Sequence, residues 1–182
     1  MGERALRRMT VEEFLRWEGE PDVRYELIDG RPVAMNPPRG FHRTIAINVG
    51  GLLWSRLRER RVCRAESEAG IELQDGNYYV ADLAVTCAGP ANAASIEQPA
   101  LIVEILSRGT RADDLGGKIP AYQDIASVQE IWAIDSERRR IWVYRREGER
   151  WVIDRYVGSA GFTSAVVEGD FALDDIYENT DL

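Results

Sequence analysis

Apolar residues recur along this chain at two spacings, and each change of spacing marks a new element. Thr10 stands three residues before Glu13 in the form of a capping box, which predicts a short helix over about 10–17. Segments 25–28 and 31–35 flank Asp29 and Gly30, a strong hairpin signal. From residue 41 to about 60, Ile45, Val49, Leu52, Leu53 and Leu57 recur at helical spacing, after Pro37 and Pro38. Short strands are expected over 63–67, 70–73 and 78–86, the last two joined through Asp75, Gly76 and Asn77. Residues 88–98 are small and polar and read as a loop. Segment 99–106 is almost continuously apolar, as a central strand buried on both faces would be. A helix over 110–126 follows, then an antiparallel meander over 129–135, 141–146 and 151–156. A strand end and a helical turn close the chain over 171–177. This order predicts an α/β or α+β mixed sheet flanked by helices.

With 182 residues the chain suits one domain and can bury a core without staples. Cys63 and Cys87 lie far apart, without CxxC spacing or a His/Cys cluster, so neither a zinc site nor a disulfide is expected. Both read as small buried residues. The charged N-terminus resembles no signal peptide and no stretch is apolar enough to span a bilayer, so a cytoplasmic protein is expected.

The net charge of −8 argues against coating nucleic acid by bulk electrostatics, but not against gripping phosphates locally. Two basic clusters, Arg56, Arg58, Arg60, Arg61, Arg64 and Arg138, Arg139, Arg140, Arg145, Arg146, read as solvated faces of a helix and a hairpin. Trp17, Trp54, Trp132, Trp142 and Trp151 sit within periodic patterns and read as core or sheet-face residues, not base-stacking platforms.

Two acids interrupt the apolar strands. A carboxylate at Glu104, buried alone within 101–106, would be very costly, so a cation, a partner side chain or a metal must compensate it. Asp82 repeats the anomaly within 79–85. Strand alternation puts Val80, Asp82 and Ala84 on one face, and Ile102, Glu104 and Leu106 on one face of their strand. If the two acids face the same side, they form a hard oxygen site suited to magnesium or manganese. Such a metal can activate water and stabilise charge on a phosphoryl group. The structural alternative is that each acid pairs with an arginine or caps a turn.

Lys118 shares a helix face with Tyr122 and follows the Glu104 strand closely, past Ser107. It either swings back to hold a water or phosphate oxygen, or pairs with Asp114. Glu26 is a third acid or an exposed hairpin residue. His42 is the only histidine, which excludes a His-rich metal site, and it reads first as structural or capping and second as catalytic. No G-x-S-x-G, P-loop or G-x-G-x-x-G occurs.

These residues, in order, carry a resemblance. The hairpin Tyr25-Glu-Leu-Ile-Asp-Gly30, the approach from Pro37 to His42 and the strand Val80-Ala-Asp-Leu83 come first. Val103-Glu-Ile-Leu-Ser107, the Lys118/Tyr122 helix and Glu130-Ile-Trp-Ala-Ile-Asp135 follow. Together they resemble the Uma-two family of putative restriction endonucleases, of the PD-(D/E)XK nuclease superfamily, over about 9–178. The resemblance implies a restriction-endonuclease-like core and a metal-dependent endonuclease hydrolysing phosphodiester bonds in DNA, with magnesium or manganese as cofactor. It implies that Asp82 and Glu104 hold the metal, with Glu26 as third acid and Lys118 in the lysine role; Ser107, Tyr122 and His42 form a second tier.

The chain departs from the pattern at Ala81, where the family usually has proline, and at Leu106, where the parent motif carries its lysine. Pro120, two residues after Lys118, would kink or restart the helix. The alternatives are a nucleic-acid-binding or regulatory module that keeps the fold without turnover, and a structural partner docking through the 138–146 hairpin. A homodimer would suit cutting of two strands.

Overall fold

The computed structural model describes residues 8–38, 40–58, 62–109, 111 and 114–182; Arg60, Arg61 and Thr110 lie outside them. The capping box forms as expected. Thr10 Oγ1 accepts from Glu13 N at 3.2 Å, and the Glu13 carboxylate accepts from Thr10 N at 3.0 Å. It opens helix α1 (Val11–Leu15), which buries Val11 and Phe14. Asp29 and Gly30 take φ of 50° and 71°, the left-handed pair that a tight hairpin needs, and join β1 (Tyr25–Ile28) to β2 (Arg31–Ala34). Helix α2 (His42–Leu57) buries Ile45, Val49, Leu53 and Leu57, a four-residue repeat on one face.

Strands β3 (Arg64–Glu72), β4 (Tyr78–Thr86), β5 (Pro99–Leu106), β6 (Glu130–Asp135), β7 (Arg140–Glu147) and β8 (Arg150–Val157) complete an eight-stranded sheet. Its path runs β2-β1-β4-β5-β6-β7-β8, with β3 on β4. Only β5 and β6 are parallel, so the sheet is mixed and the fold is α+β. One face packs on α2, on the ribbon of β9 (Gly161–Ser164) and β10 (Gly169–Ala172), and on helix α3 (Leu173–Ile176). The other packs on Ile119, Tyr122 and Val128.

Several expectations are corrected. Segments 63–67 and 70–73 are one strand, interrupted where Glu68 takes φ 53° opposite Asp82 while the register on either side is unchanged. The helix expected over 110–126 is shorter and irregular: its 114–123 part is a π turn (Asp114–Lys118) running into a single α turn (Ile119–Gln123). Gly116 and Gly117 weaken helix there, and the Pro120 ring would clash with the carbonyl four residues back; widening the turn relieves both. The β9 strand was not foreseen, because its run is too short to carry a period.

The cysteines form a disulfide, with Sγ atoms 1.97 Å apart. The Arg64↔Thr86 register brings them together as the next cross-strand pair, which separation along the chain could not reveal, and Cys87 is exposed, not buried. Such bonds persist where thiols are oxidised, so this one lends no support to a cytoplasmic setting. Trp54 is 62% exposed and is not a core residue. Arg145 and Arg146 are not solvated: one bonds Asp154 at 2.5 Å, the other the carbonyls of Gln123, Ile125 and Val128. Among the described residues no helix is long and apolar enough to cross a membrane.

Candidate active site in a fork of the sheet

A strand has two hydrogen-bonding edges, and β3 runs along the whole of one edge of β4. The other edge is shared. β5 pairs with it only as far as Leu83↔Val103, and β1 meets it only at Leu27↔Tyr78. Between these contacts the sheet forks, and backbone groups of β4 and β5 lose their strand partners. Each must find another, because an unpaired buried peptide group is costly.

Side chains supply them. Val80 N donates to Glu26 Oε1 at 2.9 Å, Lys118 Nζ donates to Val80 O at 3.2 Å, and Ile105 N donates to Asp82 Oδ2 at 2.7 Å. Asp82 and Glu104 would be the next cross-strand pair after Leu83↔Val103, so the two acids meet on one side where the strands part.

The remaining contacts close the constellation. Lys118 Nζ lies 2.7 Å from Glu26 Oε1, 3.5 Å from Glu104 Oε1 and 3.8 Å from Asp114 Oδ1. The Tyr122 hydroxyl donates to Glu104 Oε1 at 2.7 Å. His42, the first residue of α2, sets Nε2 3.2 Å from Asp82 Oδ1, while its Nδ1 is buried without a partner among the described residues.

The electrostatics follow from the crowding. Burial pushes the Glu104 carboxyl well above the ordinary value, and Asp82 and Asp114 push the same way against Lys118 and the Tyr122 hydrogen bond. Burial works against the Lys118 ammonium, but Glu104, Glu26 and Asp114 outweigh it, and its pKa ends above the usual lysine value. Burial and Glu104 hold the Tyr122 phenol neutral, as a donor.

All the predicted residues therefore converge. Glu26 is buried and not an exposed hairpin residue, and Lys118 reaches over the strand to Val80 O and also pairs with Asp114. Ser107 ends β5 and lines the cleft, its carbonyl accepting from Arg111 N at 2.9 Å. Asp114 was read only as a partner of Lys118; its place in the site depends on the π turn. Tyr79 was also missed; its ring lies 5.9 Å from Lys118 Nζ and packs edge-on against Tyr122. The site floors a cleft of about 1830 Å³ that runs between α2, β3 and the π turn.

The donor set can be tested against a metal. Among the described residues no group of three or more His, Cys, Asp or Glu is arranged to hold an ion. Magnesium, however, keeps several waters and takes one or two carboxylates, and the donors here are hard oxygens. Three acids, Glu26, Glu104 and Asp114, also surround a single ammonium, with Asp82 close to Glu104, leaving negative charge to balance. Asp82 and Glu104 fit such an ion.

Fold and site together define a class: a mixed α+β sheet, forked so that acids and a lysine gather at a cleft floor. The Uma2 family, described as a putative restriction endonuclease, matches residues 11–174, and the chain belongs to that family. It is 29% identical over 175 residues to the uncharacterized protein slr1290 of Synechocystis sp., covering 93% of this chain and 92% of that protein. A second Synechocystis protein, the uncharacterized sll1609, is 24% identical over 156 residues, covering 82% of this chain and 88% of the relative. The crystal structure of a putative nuclease belonging to DUF820 from Anabaena variabilis superposes with a TM-score of 0.77 at 20% identity. That match covers 93% of this chain and 97% of the other, and it is a likeness of fold.

Proposed function

We propose that the chain is a metal-dependent endonuclease that hydrolyses phosphodiester bonds in DNA. The observation that carries this reading is the meeting of Asp82 and Glu104 where β4 and β5 part, with Lys118 beside Glu104 on the floor of a large cleft. Membership of a family described as a putative restriction endonuclease supports it.

Asp82 and Glu104 would hold magnesium or manganese, which when bound supplies a Lewis acid against the charge that builds on the phosphoryl oxygens. The chain's own residues do the rest. Lys118 stays charged at neutral pH, so it is a fixed donor for a phosphate oxygen or the attacking water, not a base. Glu26 holds that ammonium in place, Tyr122 fixes the Glu104 carboxyl, and His42 steadies Asp82. Because side chains already satisfy the freed backbone of the fork, the arrangement exists before substrate arrives.

The test is nicking and cleavage of supercoiled plasmid with magnesium or manganese, beside Glu104→Gln. Cleavage is expected from the wild type and lost in the variant and in chelator. Calorimetric metal titration of Asp82→Asn is expected to show at least a tenfold loss of affinity; affinity equal to wild type would remove Asp82 from the metal site. A second reading, a binding module without turnover, draws on Lys118 already lying among Glu26, Glu104 and Asp114. It predicts metal-independent binding and no cleavage.

A further inference from the structure

Helix α2 starts at the site, with His42 on Asp82, and carries an unusual stripe away from it. Arg43, Ile47, Gly50 and Trp54 line the same cleft as Asp82 and Glu104, and their spacing of three and four keeps them on one helix face. Ile47 is 73% exposed and Trp54 62%, in a helix whose opposite face is fully buried. The trough between them is clear. A Cβ on Gly51 would meet nothing within 4 Å, and one on Gly50 would meet only Leu83, at 3.4 Å.

Positive charge brackets the two apolar residues. Arg43 is exposed one turn before Ile47, and the Arg58 guanidinium lies 5.1 Å from the centre of the Trp54 ring. Across the trough, the acids of β3 are already engaged, Glu66 by Arg64 at 2.5 Å and Glu68 by Arg24. A large exposed aromatic ring with one arginine over it and another at the far end of the stripe, in a protein of net charge −8, is a local fit to a polyanion that carries flat apolar groups.

We infer that this face of α2 is a track for single-stranded nucleic acid. An unpaired base stacks on Trp54 while Arg43 and Arg58 hold flanking phosphates. This rests on the nuclease reading of the site and adds a substrate class to it: a strand that is single or locally unpaired. At 1.5 Å per residue, Trp54 stands about 18 Å along the helix from His42, so the stacked base lies several nucleotides from the bond at Asp82 and Glu104. A fully paired duplex keeps its bases stacked inside and offers Trp54 none, whereas an aromatic platform accepts any exposed base.

The experiment measures anisotropy of a labelled oligothymidine and of a blunt duplex, with magnesium, in the Glu104→Gln background so that nothing is cut. The single strand is expected to bind at least about tenfold more tightly than the duplex. Trp54→Ala should weaken it by about tenfold, and Trp54→Phe, which keeps a stacking face, should hold within about threefold. Tryptophan fluorescence should be quenched by the strand in the parent and far less in Trp54→Phe.

Strand affinity unchanged in Trp54→Ala overturns the inference. So does a fall in sedimentation coefficient on that substitution with binding intact, which would mark Trp54 as a contact between two copies of the chain. Plasmid cleavage by the wild type separates the two levels. If it cuts and Trp54→Ala binds normally, the track is wrong and the nuclease reading stands. If it neither cuts nor binds any nucleic acid, both fall.

Discussion

Glu104 is the residue on which the site's energetics turn. Its carboxyl is buried against Asp82 and Asp114, and its pKa lies above the value of about 4.3 expected in an unfolded chain. An acid of this kind adds stability below its unfolded pKa and loses it as pH rises towards the folded one, because the unfolded state ionises first. Glu104→Gln mimics the protonated form at every pH. In urea denaturation without divalent metal, the variant should therefore match the wild type near pH 4 and overtake it as pH rises towards neutrality. Parallel profiles for the two proteins would mean that Glu104 is not strained in the metal-free fold. The anomaly itself was readable from sequence, since a lone acid in an apolar strand needs a partner. Which partners it has, Tyr122 and Lys118, was not, because they come from a turn whose geometry no period describes.

At the scale of elements, the β1–β2 hairpin matters beyond its size, because β1 carries Glu26 to the fork and Glu26 anchors Lys118. The turn depends on Gly30. Its φ is +71°, and a Cβ there would stand 2.7 Å from Arg8 Cβ and 3.1 Å from the Met9 carbonyl. Gly30→Ala should thus cost more than about 1 kcal/mol, through strain and clash together. Gly76→Ala, at φ +84° but with open space around it, should cost less. Thermal unfolding of the two variants checks the order, and equal losses would refute the steric part. The Asp29 and Gly30 signal predicted this turn because a two-residue hairpin demands left-handed backbone locally. The helix expected over 110–126 forms only in part, and irregularly, for the complementary reason: Gly116, Gly117 and Pro120 set a local conformation that a helical count overlooks.

For the whole molecule, the Cys63–Cys87 bond ties the end of β4 to the start of β3 and closes a loop with a sequence separation of 24. A cross-link of that span restricts the unfolded chain and contributes about 3 kcal/mol, most of it independent of the site. Reduction, or Cys87→Ser, should lower the urea midpoint by a corresponding amount while leaving plasmid cleavage unchanged under conditions where the protein stays folded. A loss of cleavage in the folded, reduced protein would mean that the bond also holds β3 and β4 in register at Asp82. The same register explains the site, since β3 fills one edge of β4 and forces β1 and β5 to divide the other.

The sequence by itself determined most of the elements and the suspects. Period-two and period-four patterns are local, and so are the capping box, the Asp29–Gly30 turn and the cost of an acid among apolar neighbours. Tertiary structure alone decided what those residues do together. The fork in the sheet, the meeting of Asp82 with Glu104, the capture of Lys118 by Glu26, the disulfide and the exposure of Trp54 all depend on which strands pair and where the pairing stops. That is a property of contacts between residues far apart in the chain, and no spacing along a single segment encodes it.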